Sequence, residues 1–128
     1  MNVFDLSAEA VARMPRVDLA TVDREPDSLV PPFDFHGCYC GVASFVGQPP
    51  WELHDGGDEL LHVLAGETEL TVLGADGEET RRLKAGEVAI VPQGRWHRNR
   101  AATGVTLLFM TPREGGAHSW EDPRSTPQ

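Results

Sequence analysis

Cysteine is scarce: Cys38 and Cys40 are the only two in 128 residues, too few for a disulfide-stapled scaffold. One residue separates them inside an apolar stretch, where an extended chain puts both thiols on one face without easy bonding geometry. Both are therefore expected to be reduced, buried and not bonded to each other. Basic charge is also short. Eleven Lys and Arg stand against 20 Asp and Glu, a formal net charge of −9. That sign repels phosphate backbones and anionic headgroups, which argues against nucleic acid or a membrane surface as partner. No window approaches the roughly 20 apolar residues that span a bilayer. The start MNVFDLSAEA has no basic segment followed by an apolar run, so a cytoplasmic protein is expected. A Gly-x-Ser-x-Gly elbow is missing too, and the glycine pairs at 56 and 115 do not open a helix after a strand. Serine-hydrolase and phosphate-cradle chemistries therefore find no support.

What is present reads as one globular domain. Hydrophobic residues make up 40% and charged residues 24%, and a chain of this size buries roughly two-thirds of its unfolded surface, enough for one core but not two. Ser7 is a helix N-cap before AEAVARM and Pro15 closes that segment, which leaves barely two turns that need docking to persist. From Met14 to Phe35 the prolines at 15, 26, 31 and 32 predict extended wrapping and edge strands without a helix. Beyond His36 come GCYCGVASFVG, ELLHVLAG, ELTVLG, EETRRLK, EVAIVPQG and GVTLLFMT, short β-rich runs divided by Gly, Pro and Asp. Ala75-Asp76-Gly77 suits a hairpin turn. Connections this short hold no crossover helix, so pairing should be mostly antiparallel. The expectation is an all-β sandwich or jelly-roll barrel with less than about 15% helix. Residues 1–37 would form an arm with edge strands, 38–111 the barrel, and 112–128 a tail partly disordered beyond about Ser119.

One constellation carries chemistry: Glu52, His54, Glu59 and His97. In an extended segment Glu52 and His54 share a face, and the turn Asp55-Gly56-Gly57-Asp58 can reset the register for Glu59. Leu61 and Val63 alternate on the face of Glu59, which points that carboxylate at the barrel interior, where an unpaired charge is very costly. A cation is its natural partner.

These residues resemble the motifs of the cupin superfamily, G-x5-H-x-H-x3,4-E-x6-G and G-x5-P-x-G-x2-H-x3-N. His54, Glu59 and Gly66 match the first spacing, and Gly86, Pro92, Gly94 and His97 match the second up to its His. Three departures stand out. Glu52 replaces the first His of the pair, the closing Asn position holds Ala101 with Asn99 two places early, and the opening Gly is displaced by one to Gly47. The resemblance spans about Trp51 to His97 and, with flanking strands, residues 38–111. It implies a double-stranded β-helix barrel that holds a divalent ion, with Fe, Mn, Ni and Zn undistinguished.

Carried over position by position, the resemblance makes Glu52, His54, Glu59 and His97 the metal ligands. If Glu52 swings away, His54, Glu59 and His97 form a 2-His-1-carboxylate set of the kind associated with non-haem iron, and a metal-free barrel is a third arrangement. Trp51 and Trp96 neighbour proposed ligands and either wall the pocket mouth or fill core. Arg95 and Asn99 share the parity of His97 and are candidates to meet a carboxylate substrate, against a plain turn-exposed arginine. His62 falls on the opposite face from Glu59, at a sheet-packing or subunit surface, while His36 and His118 are expected to face solvent. The resemblance implies a metal-dependent enzyme of the oxygenase or isomerase/lyase type on a small oxygen-rich or carboxylate metabolite, with catalytic residues beyond the ligands unassigned. The alternative is a non-catalytic barrel that binds or senses a small molecule. A homodimer is expected, because open sheet edges need covering, with Leu60, His62 and the Pro-rich arm as candidates for its surface.

Overall fold

The alternating segments of the sequence are strands in the computed structural model, which describes residues 1–22 and 24–125. One short helix, α1 (Ala8–Ala12), is followed by β1 (Val17–Asp18), β2 (Phe33–Phe35), β3 (Cys38–Gly47), β4 (Trp51–His54), β5 (Glu59–Gly74), β6 (Gly77–Lys84), β7 (Val88–Val91), β8 (His97–Pro112) and β9 (Gly116–Ser119). Ser7 caps α1 as its sequence suggests, its Oγ accepting from the Ala10 amide at 3.2 Å. No helix interrupts the proline-rich stretch among the described residues. The pairing is antiparallel throughout except for the parallel contact of β1 with β3.

Two 16-residue strands, β5 and β8, organise the barrel. The N-terminal half of β5 pairs with β7 and with the C-terminal half of β8, which in turn pairs with β3. The C-terminal half of β5 pairs with β6 and with the start of β8, and β4 bridges β8 to β9. The runs 59–66 and 69–74, which the glycine at 66 divides in the sequence, are thus one strand. Its register shifts between Val63 and Ala65 and again between Gly66 and Glu69. Gly66 and Gly104 both have positive φ, 75° and 105°, and a Cβ on Gly66 would collide with the Gly104 carbonyl oxygen. These glycines are corners where a strand bends from one sheet to the other, not turns that end it.

The inward faces of the strands build the core: Ala43 and Phe45 from β3, Leu61, Val63 and Leu70 from β5, Leu83 from β6, Val91 from β7, and Ala101, Val105 and Leu107 from β8. The arm covers the free edge of β3 along its length. Val17 pairs with Phe45, the Leu29 amide donates to the Val42 carbonyl at 2.8 Å, and Phe33 pairs with Cys40. Phe4 stacks on Phe33 with ring centroids 5.1 Å apart. Cys38 and Cys40 are both unbonded thiols, and Cys40 is fully buried.

The tail carries regular structure on both sides of Ser119, beyond which partial disorder was expected. Gly116–Ser119 adds to the sheet as β9, and Pro123–Ser125 forms a 3-10 turn. The Ser125 amide donates to the Asp122 carbonyl at 3.0 Å, and Arg124 reaches Glu78 at 3.2 Å. Free backbone groups on β4 gave this segment a partner, which the polar composition of the tail did not reveal. The last three residues of the expected disorder lie outside the described residues.

Candidate metal centre and its cavity

Strand ends position the four candidate residues. β4 carries Glu52 and His54, β5 opens on Glu59, and β8 opens on His97, which is the cross-strand partner of Glu52. The loops between these ends are tied together. The Gln93 amide donates to Asp58 Oδ1 at 2.9 Å, its side chain donates to the Asp55 carbonyl, and the Gly94 amide donates to the His54 carbonyl at 2.9 Å. The turn after His54 is thereby fixed to the loop before His97, and the strand ends that carry the four candidate residues hold their spacing.

The side chains converge. His97 Nε2 lies 2.9 Å from Glu59 Oε1 and 3.7 Å from Glu52 Oε2, and His54 Nε2 lies 3.2 Å from Glu59 Oε2 and 3.4 Å from Glu52 Oε2. One donor atom from each residue falls within 4.8 Å of all the others. His97 is 1% exposed and Glu59 3%. Despite these short separations, the Nε2 atoms of both histidines are buried without a hydrogen-bond partner among the described residues. Ring nitrogens this close to carboxylates yet misaligned with them point into the space between the four groups, as a shared ion requires. The residues therefore fit a divalent metal. His97 Nδ1 faces the Arg95 carbonyl at 3.2 Å, a contact in which Nδ1 donates and which turns Nε2 toward the carboxylates. Thr111 Oγ1 donates to Glu59 Oε2 and orients that carboxylate.

The charges are strongly coupled. Burial opposes charge on each imidazole, but the carboxylates of Glu52 and Glu59 outweigh it and raise His54 to about 9 and His97 to about 10. Burial likewise opposes charge on Glu52 and Glu59, and the imidazoles hold both below the ordinary glutamate value. Glu25 approaches Glu52 from the arm. The residue as a whole is exposed, yet partial burial of its carboxyl and the neighbouring Glu52 raise it to about 7.

The four residues floor a cavity of about 660 Å³. Ala43 and Phe45 of β3, Leu61 of β5, and Leu107 and Phe109 of β8 wall it, with Tyr39 nearer the opening. Asn99 lines it and accepts from Thr68 Oγ1 at 3.1 Å. Arg95 is exposed and does not line it; only its backbone serves the site, through His97. Neither tryptophan walls it. Trp51 is buried outside, with the guanidinium groups of Arg98 and Arg124 at 5.6 and 6.0 Å from its ring, and Trp96 is half-buried elsewhere. Trp51 flanks Glu52 in β4 and so points away from its face, whereas Trp96 lies in the loop before β8, outside any alternation. His62 lies opposite Val88 and Leu108 on the outer face, and His36 is exposed.

Several lining residues were missed. Thr111 shares the parity of Leu107 and Phe109 and was readable from that alternation. Glu25, Arg98 and His118 also line the cavity. His118 is exposed as expected, but β9 brings it to the cavity opening. Glu25 left no signal, since the path of the arm is not encoded in any local period.

The sequence matches the cupin domain family over residues 46–111, just over half of the chain. The chain belongs to the cupin family. Its fold is similar to that of a Klebsiella pneumoniae protein with a double-stranded β-helix domain, at 19% identity and TM-score 0.63, covering 94% of this chain and 99% of that one. A Neisseria meningitidis protein is similar at 22% identity and TM-score 0.60, covering 87% and 99%. A hydroquinone 1,2-dioxygenase, in complex with Cd2+ and 4-hydroxybenzonitrile, is similar at 19% identity and TM-score 0.59, covering 82% of this cupin and 69% of the enzyme. No match was found among curated protein sequences. Among the described residues, no helix of this cupin is long and apolar enough to cross a membrane.

Proposed function

We propose that this cupin holds a divalent metal ion through Glu52, His54, Glu59 and His97. With it, the protein acts as a metal-dependent enzyme of the oxygenase or isomerase/lyase type on a small oxygen-bearing molecule. The observation that carries this reading is the pair of buried, unbonded Nε2 atoms of His54 and His97 facing two carboxylates at the floor of a cavity. Structural likeness to a hydroquinone dioxygenase with a metal ion in its complex supports the same direction.

A divalent ion at this position supplies Lewis acidity and, for a redox-active metal, electron chemistry with dioxygen. The chain supplies the rest. Thr111 holds Glu59, and the Arg95 carbonyl holds His97, so the donors keep their orientation before any ligand arrives. The apolar walls exclude water from the molecule bound above the donors. Glu25, beside Glu52 at the cavity side and raised to about 7, can hold a proton on its carboxyl or pass it to an oxygen of that molecule.

Elemental analysis of protein purified without chelator tests the reading. About one divalent ion per chain is expected, falling to background in the double variant His54→Ala with His97→Ala. Equal metal in wild type and double variant would sink it. One bound ion without turnover of any oxygen-bearing metabolite would instead favour a barrel that binds or senses its ligand.

A further inference from the structure

We propose that the cavity takes an uncharged or cationic molecule with an aromatic or apolar body, presenting one or two phenol-like oxygens to the metal donors, and that it disfavours small dicarboxylates. This rests on the metal-site reading above and narrows its ligand.

Size is the first argument. A volume of about 660 Å³ lies within the roughly 300–1,000 Å³ of pockets that enclose a drug-sized ligand. A two-carbon diacid would leave most of it to water. Shape is the second. Phe45, Leu61, Leu107 and Phe109 project from three adjacent strands onto one wall, and Tyr39 extends it, its ring centroid 5.7 Å from that of Phe109. The four candidate donors group at the floor, and Ser28, beside Phe109, commits its hydroxyl to the Val30 carbonyl at 2.7 Å. A ligand matched to this cavity is apolar along its length and oxygen-bearing at one tip.

Charge is the third. The described lining residues include four carboxylates, Glu25, Asp27, Glu52 and Glu59, and one permanent cation, Arg98. Arg98 is already engaged, donating to the Pro49 carbonyl at 3.2 Å and lying over Trp51. A divalent ion offsets the charge of Glu52 and Glu59 alone, and neither Glu25 nor Asp27, which is paired with Arg24 at 3.3 Å, offers an entering anion a partner. Among the described lining residues no uncommitted guanidinium offers a carboxylate the bidentate contact that would repay its desolvation. Arg95, the arginine whose sequence position suggested that role, does not line the cavity.

The test uses wild-type protein loaded with one equivalent of zinc, which is redox-inert, and calorimetric titration with catechol, 4-tert-butylcatechol and oxalate. Burial of the four added alkyl carbons makes the tert-butyl compound at least about tenfold tighter than catechol. Both should bind at least about tenfold tighter than oxalate, since only oxalate brings two negative charges to an acidic lining whose one cation, Arg98, is already engaged. Asp27→Lys, on an exposed side chain, should strengthen oxalate severalfold and leave catechol within about twofold. Tyr39→Asp, at a partly exposed wall position, should cut the tert-butyl advantage to below about threefold. Oxalate binding as tightly as catechol, or a tert-butyl advantage untouched by Tyr39→Asp, overturns the ligand class while the metal site stands. Failure of wild type to take up zinc appears before any organic probe is added, and brings down both readings together.

Discussion

Glu52 and His97 are cross-strand partners between β4 and β8, with Glu52 Oε2 3.7 Å from His97 Nε2. The register therefore puts a carboxylate where the related motif has an imidazole, facing the same space. An ion held here by all four residues would meet two anionic and two neutral donors, so its charge would be offset within the site. Glu52→Gln keeps the shape and removes one charge. It is expected to weaken zinc binding roughly 10- to 100-fold, the size of effect seen when a metal site loses a supporting group. Glu52→His should retain metal. Calorimetry with a competing chelator measures both, and unchanged affinity in Glu52→Gln would remove Glu52 from the ligand set.

Stability of the metal-free protein should depend on pH in a direction set by the same four groups. His54 and His97 are raised from 6.5 to about 9 and about 10. Their contribution is complete below about 6.5 and is lost as pH climbs through the folded values. Glu52 and Glu59 are lowered from 4.5. Their contribution is complete above about 4.5 and is lost as pH falls. The melting temperature without metal should therefore peak between about pH 5 and 6.5 and decline toward pH 9. Zinc takes the deprotonated imidazoles, so its stabilising shift should be larger at pH 8 than at pH 6. A metal-free melting temperature that stays flat from pH 6 to 9 would contradict the coupling.

Much of this was legible before the structure. The inward carboxylate at Glu59 followed from its parity with Leu61 and Val63, and both motif frames fell on residues that do converge. The ring of strands followed from alternation and short connections. What stayed hidden depends on contacts distant in sequence. β9 exists because β4 offers it an edge, and Glu25 reaches the cavity because the arm follows β3. Gly66 and Gly104 read as punctuation, although each lies within one continuous strand. A glycine's freedom at positive φ serves a corner as readily as a turn, and only the partner strand distinguishes them.

That corner yields its own expectation. Gly66 has φ 75° and faces the Gly104 carbonyl, while Arg16 of the arm packs against the α-carbons of both glycines. Gly66→Ala adds a methyl group with no room beside backbone that cannot retreat. It should cost about 2 kcal/mol or more in denaturant unfolding. Gly77→Ala is the comparison, at a hairpin end with open space around it. A loss at Gly66 no greater than at Gly77 would mean the corner relaxes freely.

The last expectation concerns assembly. β7 pairs with β5 alone among the described residues, so its other edge presents free backbone donors and acceptors. Val88 and Ile90 on its outer face are 52% and 55% exposed. Leu60 and His62, their cross-strand partners on β5, extend the same apolar surface. The strand VAIV carries no charge of the kind that protects a free edge from pairing. A second copy meeting this face about a two-fold axis would cover both the edge and the side chains. Each copy carries a net charge of −9, so repulsion opposes the contact and added salt should strengthen it. Light scattering at micromolar concentration is expected to give twice the 14.0 kDa chain mass. Ile90→Lys should shift it to the single mass with its circular dichroism unchanged. Val3→Lys, equally charged and on the 81% exposed Val3, should leave the dimer in place. A single 14.0 kDa species for wild type in both low and high salt would show that this edge is tolerated unpaired.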